Sequence, residues 1–199
     1  MAYLYTWDLF RQGLTYDEYG NTISDILLKP PAGEAEEKMQ YHIRINADMM
    51  RHFDRAYVLS REIRSVMAAA DPMYWIVLTE PWCGDAAYLL PLLAAIEKSY
   101  PEKVFLRMFA RDSYPELMDA HLTNGARSIP KLVCLDGMLS EKGTWGPRPA
   151  RLHELVNDWK QAGVPIREII SKVNEWYLQD ETRSMQSELS GLIASFQQS

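Results

Sequence analysis

The segment Trp82-Cys83-Gly84-Asp85-Ala86 carries the residue best suited to do chemistry, the thiol of Cys83. Residues 74–79 before it are β-branched, aromatic and apolar, which predicts a buried strand, and Ala86 to Glu97 are predicted to form a helix. Cys83 would then lie at a helix N-terminus, where unpaired amide N–H groups and the helix dipole favour the thiolate. Such a thiolate attacks disulfides, and a second cysteine one helical turn later normally expels the bound substrate. Ala86 occupies that second position, so the segment lacks a resolving thiol.

Several spaced residues resemble the thioredoxin superfamily. Pro91 lies eight residues after Cys83, where thioredoxins carry a proline that kinks the active-site helix. Arg127-Ser128-Ile129-Pro130 is similar to an Arg-Gly-Ile-Pro run whose proline is cis and lies against the active-site sulfur, and Gly146 fits the glycine before the last helix. The resemblance covers about Tyr74 to Lys160. It implies an α/β, thioredoxin-like fold, in which a central mixed sheet is flanked by helices, with N- and C-terminal helical extensions.

The flanking motifs resemble a narrower group. Trp-Cys-Gly-Asp-Ala, Thr123-Asn124-Gly125 and the segment from Gly143 to Pro149 together are similar to a subgroup of bacterial thioredoxin-like proteins of unestablished function. The chain departs from thioredoxins at Val77, where they place a buried aspartate that helps to deprotonate the second cysteine. Asp85 and Glu80 put carboxylates near the sulfur, and both oppose thiolate formation.

The resemblance implies a site where Cys83 meets Pro130 at one edge of the sheet, with Cys83 as the catalytic residue. A cis Pro130 would present the backbone of Ile129 to an extended peptide, in the manner of strand addition. The residues expected to contact substrate are Trp82, Gly84, Asp85, Ile129, Pro130 and Trp145. Arg127 and Arg148 are candidate contacts for an anion such as a glutathione carboxylate.

Each of these residues also has a purely structural role open to it. Cys83 is either a reactive exposed thiol or an inert relic, and Trp82 is either a platform beside the sulfur or a packed side chain. Pro130 either contributes to binding or only shapes a turn, and arginines are more often solvated than bound to a ligand. Cys134, in a predicted strand, is expected to be a buried core residue that forms no disulfide with Cys83. The four histidines are scattered, so no metal site is predicted.

Two functions from different classes remain open. In the first, the chain is a monothiol oxidoreductase, in which Cys83 attacks a disulfide or sulfenic acid and glutathione or a partner thiol resolves the adduct. The partners would be a protein or a low-molecular-weight thiol or disulfide, and the co-substrate would be glutathione. In the second, the chain is a non-catalytic binding module that uses the groove beside Pro130. The expected oligomeric state is a monomer or a weak homodimer.

Composition excludes several other classes. The chain has 199 residues, is 47% hydrophobic and carries a net charge of −6, which argues against nucleic acid and anionic membrane as partners. Its longest apolar run, Ala86 to Ile96, is too short to span a bilayer. Residues 1–10 do not resemble a secretory signal, so the cytoplasm is the expected location.

The chain is predicted to form one structural unit with three parts. Residues 1–72 form an N-terminal helical extension, 73–162 the thioredoxin-like domain and 163–199 the C-terminal helices. In the extensions, apolar residues recur at three- and four-residue spacing, which predicts helices that pack on the core. The predicted stripes are Met39, Ile43, Ala47, Met50, Phe53 and Tyr57 in the first extension and Ile166, Ile169, Ile170, Val173, Trp176 and Tyr177 in the second.

Overall fold

The computed structural model describes residues 4–196, so the ends of the two predicted extensions, 1–3 and 197–199, lie outside it. The described residues contain a four-stranded sheet with the strand order β2-β1-β3-β4. The strands are β1 (Met73–Thr79), β2 (Val104–Ala110), β3 (Lys131–Leu135) and β4 (Glu141–Trp145). β1 pairs in parallel with β2, whereas the β1–β3 and β3–β4 pairs are antiparallel. The sheet is therefore mixed, as predicted.

Helices precede, interrupt and follow the strands. The N-terminal helices are α1 (Trp7–Gln12), α2 (Tyr16–Leu28), α3 (Glu34–Ala56) and α4 (Arg61–Ala69). Within and after the sheet come α5 (Ala86–Ser99), α6 (Pro115–Asp119), α7 (Ala150–Gln161), α8 (Ile166–Asp180) and α9 (Arg183–Phe196). None of the helices in residues 4–196 is long and apolar enough to cross a membrane.

Helix α5 lies at the centre of the molecule, because its apolar side chains are buried on nearly every side. It contacts β2 of the sheet and α3 of the N-terminal extension. In the C-terminal extension, α9 packs against α4 and β4, while α8 packs against α7. Both extensions thus cover the sheet domain, and α3 and α8 come close to the N-terminus of α5, where Cys83 lies. The α/β fold class predicted from the sequence is confirmed.

Helix α1 has no counterpart in the sequence-based expectation. The Asp136 side chain accepts hydrogen bonds from the backbone of Met138 and Ser140 and lengthens the turn before β4, which begins at Glu141. The predicted core stripes are also only partly buried, since Met39, Ile166 and Ile170 are exposed.

Candidate functional site

Cys83 lies in the loop between β1 and α5, three residues before the helix begins. Its backbone N–H donates to the Glu80 carbonyl at 2.9 Å, which closes a tight turn after the strand. Its thiol donates to the Ile129 carbonyl, with Sγ 3.4 Å from the oxygen. The Ile129–Pro130 peptide bond is cis. The fold thus brings Cys83 and the segment before β3 together at the same end of neighbouring strands.

The thiol of Cys83 is buried, with 7% of the residue exposed. Burial first and the nearby Asp85 carboxylate second raise its pKa, which is about 12. The backbone N–H groups of Ala86 and Asp85 bond to the sulfur and, with Arg148, lower the pKa, but by less than burial raises it. The thiol is therefore buried rather than exposed, and the balance of these contributions favours its protonated form. The thiol does lie at a helix N-terminus, but desolvation raises its pKa by more than the helix N-terminus lowers it.

Asp85 and Arg148 form a two-point ion pair beside this thiol. Nε of Arg148 is 2.8 Å from Oδ1 of Asp85, and Nη2 is 2.6 Å from Oδ2. The hydroxyl of Tyr177, on α8, also donates to Oδ1 at 3.0 Å. Burial raises the pKa of Tyr177 well above its usual value, so the hydroxyl keeps its proton and remains a donor. Asp85 was predicted to contact substrate and Arg148 to be a candidate anion contact, but each already has its partner within the protein.

Arg127, the second candidate anion contact, is also paired. It makes two bonds of 2.6 Å to the Asp119 carboxylate on the protein surface. A third arginine, Arg111, lies over the ring of Trp82 at 4.9 Å from its centroid and bonds to Asp112. The Arg111 guanidinium therefore covers one face of the Trp82 ring, while part of the Trp82 surface stays exposed beside Cys83.

Trp145 does not lie in the groove, contrary to the prediction. It is buried at the end of β4, and its indole N–H donates to the Glu188 carboxylate on α9 at 2.6 Å. The same carboxylate accepts the backbone N–H of Ala150 at 2.8 Å. Trp145 thus joins the sheet to α9 and the start of α7, because β4 directs its side chain toward the C-terminal extension.

A shallow groove of about 290 Å³ crosses the site above Cys83. Its lining includes Trp82, Gly84, Ser128, Ile129 and Pro147. The backbone N–H of Ile129 donates to no described residue, so this edge of the groove keeps an unused donor.

Gly146 fixes the approach of two loops at this end of the sheet. Its φ is +113°, a conformation that side chains other than glycine rarely adopt, and a β-carbon there would lie 2.3 Å from the Pro130 carbonyl oxygen. The following Gly146–Pro147 bond is also cis. Position 146 therefore requires glycine, and this residue determines the path of the chain into Pro147 and Arg148.

Cys83 and Cys134 are both free and buried. Cys134 lies in β3 between β1 and β4, opposite Trp75 and Gly143. Among residues 4–196, histidine, cysteine and carboxylate side chains form no group of three that could hold a metal ion.

Sequence patterns alone do not place Tyr177 or Glu188 in this region. Tyr177 was identified only as one member of an apolar stripe, and Glu188 was not singled out. Their partners, Asp85 and Trp145, are 92 and 43 residues away along the chain. The only local signal for Tyr177 is a hydroxyl on a helix face that is otherwise apolar.

Comparison with known proteins agrees with this architecture. A family model described as thioredoxin matches residues 32–160. A solved structure of a protein of unknown function from Pseudomonas aeruginosa is similar, with a TM-score of 0.61 and 15% identity over 96% of this chain and 98% of that one. An HIV epitope-scaffold structure has a TM-score of 0.59 and 14% identity over 96% and 97% of the two chains. No curated protein matches the sequence. At these identities the structural likeness shows the fold alone.

Proposed function

The chain belongs to the thioredoxin family, and from this membership and the geometry at Cys83 we propose that it is a non-catalytic binding module. In this proposal Cys83 is a packed thiol, and the groove between Trp82 and Ile129 holds an extended segment of another protein. The single observation that carries the proposal is the state of the Cys83 thiol, which is buried and donates a hydrogen bond to the Ile129 carbonyl.

The protonation state of the thiol argues against nucleophilic attack. With the pKa raised to about 12, only a very small fraction of Cys83 is thiolate at neutral pH, and the thiolate is the nucleophile. An attacking Cys83 would also have to give up its bond to Ile129 and become exposed. Neither the high pKa nor the burial of the thiol hinders non-covalent binding in the groove.

The free backbone donor of Ile129 supports the peptide part of the proposal. An extended segment laid along this edge can accept the Ile129 N–H with its own carbonyl, as in other cases of strand addition. Trp82 also lines the groove and offers an aromatic surface on which an apolar side chain can pack. These contacts need no covalent step.

The binding proposal can be tested with peptides selected from a random library displayed on phage. We expect selected peptides to bind the natural chain and Cys83→Ala with similar affinity, and to shift the amide NMR signal of Ile129 and the indole signal of Trp82. Trp82→Ala should weaken binding, whereas Trp159→Ala, an aromatic truncation outside the groove, should not. Peptides that require the Cys83 sulfur, or that leave the Ile129 signal unmoved, would contradict the proposal.

One observation favours the monothiol oxidoreductase as a second candidate. The amide N–H groups of Asp85 and Ala86 point at the sulfur, so a thiolate formed there would be stabilised at once. Alkylation of Cys83 as a function of pH separates the two candidates. A thiol pKa below about 8 would support exchange chemistry resolved by glutathione or a partner thiol. A rate that keeps rising with pH to beyond 10 supports the binding module.

A further inference from the structure

A second cavity, of about 390 Å³, opens between α3 and α8 beside the loop that carries Cys83. Its inner surface includes Ala87 and Tyr88 of α5, and Ile169 and Val173 of α8, all of which are buried. The cavity adjoins the groove described above, because Trp82 and the Asp85–Arg148 pair line both, whereas Cys83 and Ile129 line only the groove. Its volume lies within the range of about 300–1,000 Å³ that is usual for small-molecule sites.

The walls of the cavity expose aliphatic side chains, and two of them, Ile166 and Ile170, belong to a stripe that the sequence predicts to be packed. Ile45 on α3 is 42% exposed, and Ile166 and Ile170 on α8 are 66% and 52% exposed. They line one cavity from two facing helices. Single exposed apolar residues are ordinary on protein surfaces. Three exposed isoleucines that line one cavity indicate a binding site for an apolar group.

The charged lining of the cavity is cationic, although the whole chain carries a net charge of −6. Lys160 lines the cavity and makes no ion pair with any described residue, and the exposed His42 lies on the opposite helix. Asp85 is the carboxylate of the lining, and Arg148 neutralises it. Asn174 accepts a hydrogen bond from the Tyr88 hydroxyl through Oδ1, which leaves its N–H groups as donors. The polar groups therefore favour an anion.

We infer that this cavity binds a small amphipathic carboxylate, a molecule with an aliphatic body and one anionic head group. The body lies between Ile45 on α3 and Ile170 on α8, above Val173, and the head group pairs with Lys160. Binding here involves no bond to sulfur and no change of oxidation state. The residues proposed to contact the ligand line the cavity and not the peptide groove, although the two sites adjoin at Trp82 and Asp85.

Three probes of equal chain length test this inference: decanoate, decanol and decylammonium, each kept below its critical micelle concentration. Calorimetric titration of the full chain should give saturable binding of one decanoate, weaker binding of decanol and the weakest binding of decylammonium. Decanoate should also raise the melting temperature, because a ligand that binds only the folded state stabilises it. Equal binding of all three probes would overturn the anion preference, and absence of decanoate binding would overturn the site.

Variants at exposed positions locate the site without disturbing the core. Ile170→Glu puts a carboxylate in the apolar wall and should weaken decanoate binding about tenfold or more, through lost apolar contact and like-charge repulsion. Leu178→Glu makes a similar change on the same helix at an exposed residue outside the cavity, and should leave binding unchanged. Equal loss in both variants, or none in Ile170→Glu, would refute the placement.

The head-group contact has its own matched pair of variants. Lys160→Glu should abolish the preference for decanoate over decanol, whereas Lys29→Glu, the same charge change at an exposed lysine that does not line the cavity, should preserve it. If Lys160→Glu keeps the full preference, the anion is not bound by this residue and the assignment fails. Phage-selected peptides should still bind Ile170→Glu, so failure here and failure of the peptide groove give different results.

Discussion

Arg148 and Asp85 are joined by two short hydrogen bonds across 63 residues of sequence, and the pair lies beside the Cys83 sulfur. The carboxylate side of the pair raises the pKa of Cys83 and the guanidinium side lowers it. Burial contributes more to this pKa than either charge, so burial decides the protonation state of the thiol. The same pair contributes to the lining of both the groove and the α3–α8 cavity.

Asp85→Asn should lower the pKa of Cys83. The substitution removes the negative charge that destabilises the thiolate, leaves the Arg148 charge uncompensated and preserves the size of the side chain. The rate of alkylation of Cys83 at pH 8 should rise, and the pH profile should move to lower pH. Asp119→Asn, which removes the surface partner of Arg127, should leave the profile unchanged. An unchanged profile in Asp85→Asn would mean that Asp85 does not influence the thiol.

Arg148→Met should destabilise the fold. It keeps most of the side-chain volume but leaves the buried Asp85 carboxylate with only the Tyr177 hydroxyl, and breaking a buried pair in this way costs about 3 kcal/mol or more. Arg127→Met removes an arginine from an exposed pair and should change stability far less. Urea denaturation measures both variants. Equal losses would show that burial of the Asp85 pair has no energetic consequence.

The fold could be predicted from the sequence because its signals are local. The apolar run of β1 and the position of Pro91 in α5 each depend on neighbouring residues, and each lies where expected. The position of Cys83 before α5 was also predicted correctly. Its chemical state was not, because burial of the thiol depends on elements that are distant in sequence.

The electrostatic contacts of the site could not be predicted for the same reason. A lone arginine such as Arg148 has the same sequence signature whether it binds a ligand or an internal carboxylate, and only the tertiary fold selects Asp85. Trp145 was assigned to the groove from its place in a motif, but the pleat of β4 turns it toward Glu188. Sequence patterns located the strands and helices well, and left the direction of individual polar contacts open.

Gly146→Ala should be severely destabilising, by about 3 kcal/mol or more, because the methyl group would meet the Pro130 carbonyl oxygen in a backbone conformation disfavoured for alanine. Gly191→Ala is the matched control. Gly191 lies inside α9 with no atom within 4 Å of the added carbon, so alanine should stabilise the protein by about 0.5–1 kcal/mol. Thermal denaturation reports both. A mild effect at Gly146 would mean that the two loops do not approach as closely as described.

The natural chain should fail to reduce insulin disulfides above background when dithiothreitol is the electron donor, with a dithiol thioredoxin as the positive control. It lacks a resolving thiol, and the high pKa of Cys83 suppresses the attacking one. Ala86→Cys should remain far below the positive control, because it restores the second thiol but not the thiolate. Strong turnover by the natural chain would contradict the binding-module proposal directly.

Stability should fall at alkaline pH, in part because of Cys83. Its pKa is raised from an ordinary 9.0 to about 12, so between these values the unfolded chain releases the thiol proton while the folded chain retains it. The folded state then binds more protons, and the free energy of unfolding decreases as pH rises through this window, whereas below about pH 8 the thiol contributes no pH dependence.

Cys83→Ala removes this contribution, so its stability should decline less steeply from pH 9 to pH 11 in urea denaturation. Burial also raises the pKa of Cys134 and Tyr88, so the variant should retain some alkaline loss. Parallel stability profiles for the natural chain and Cys83→Ala would show that the Cys83 thiol titrates normally in the folded protein, and would reopen its role as a nucleophile.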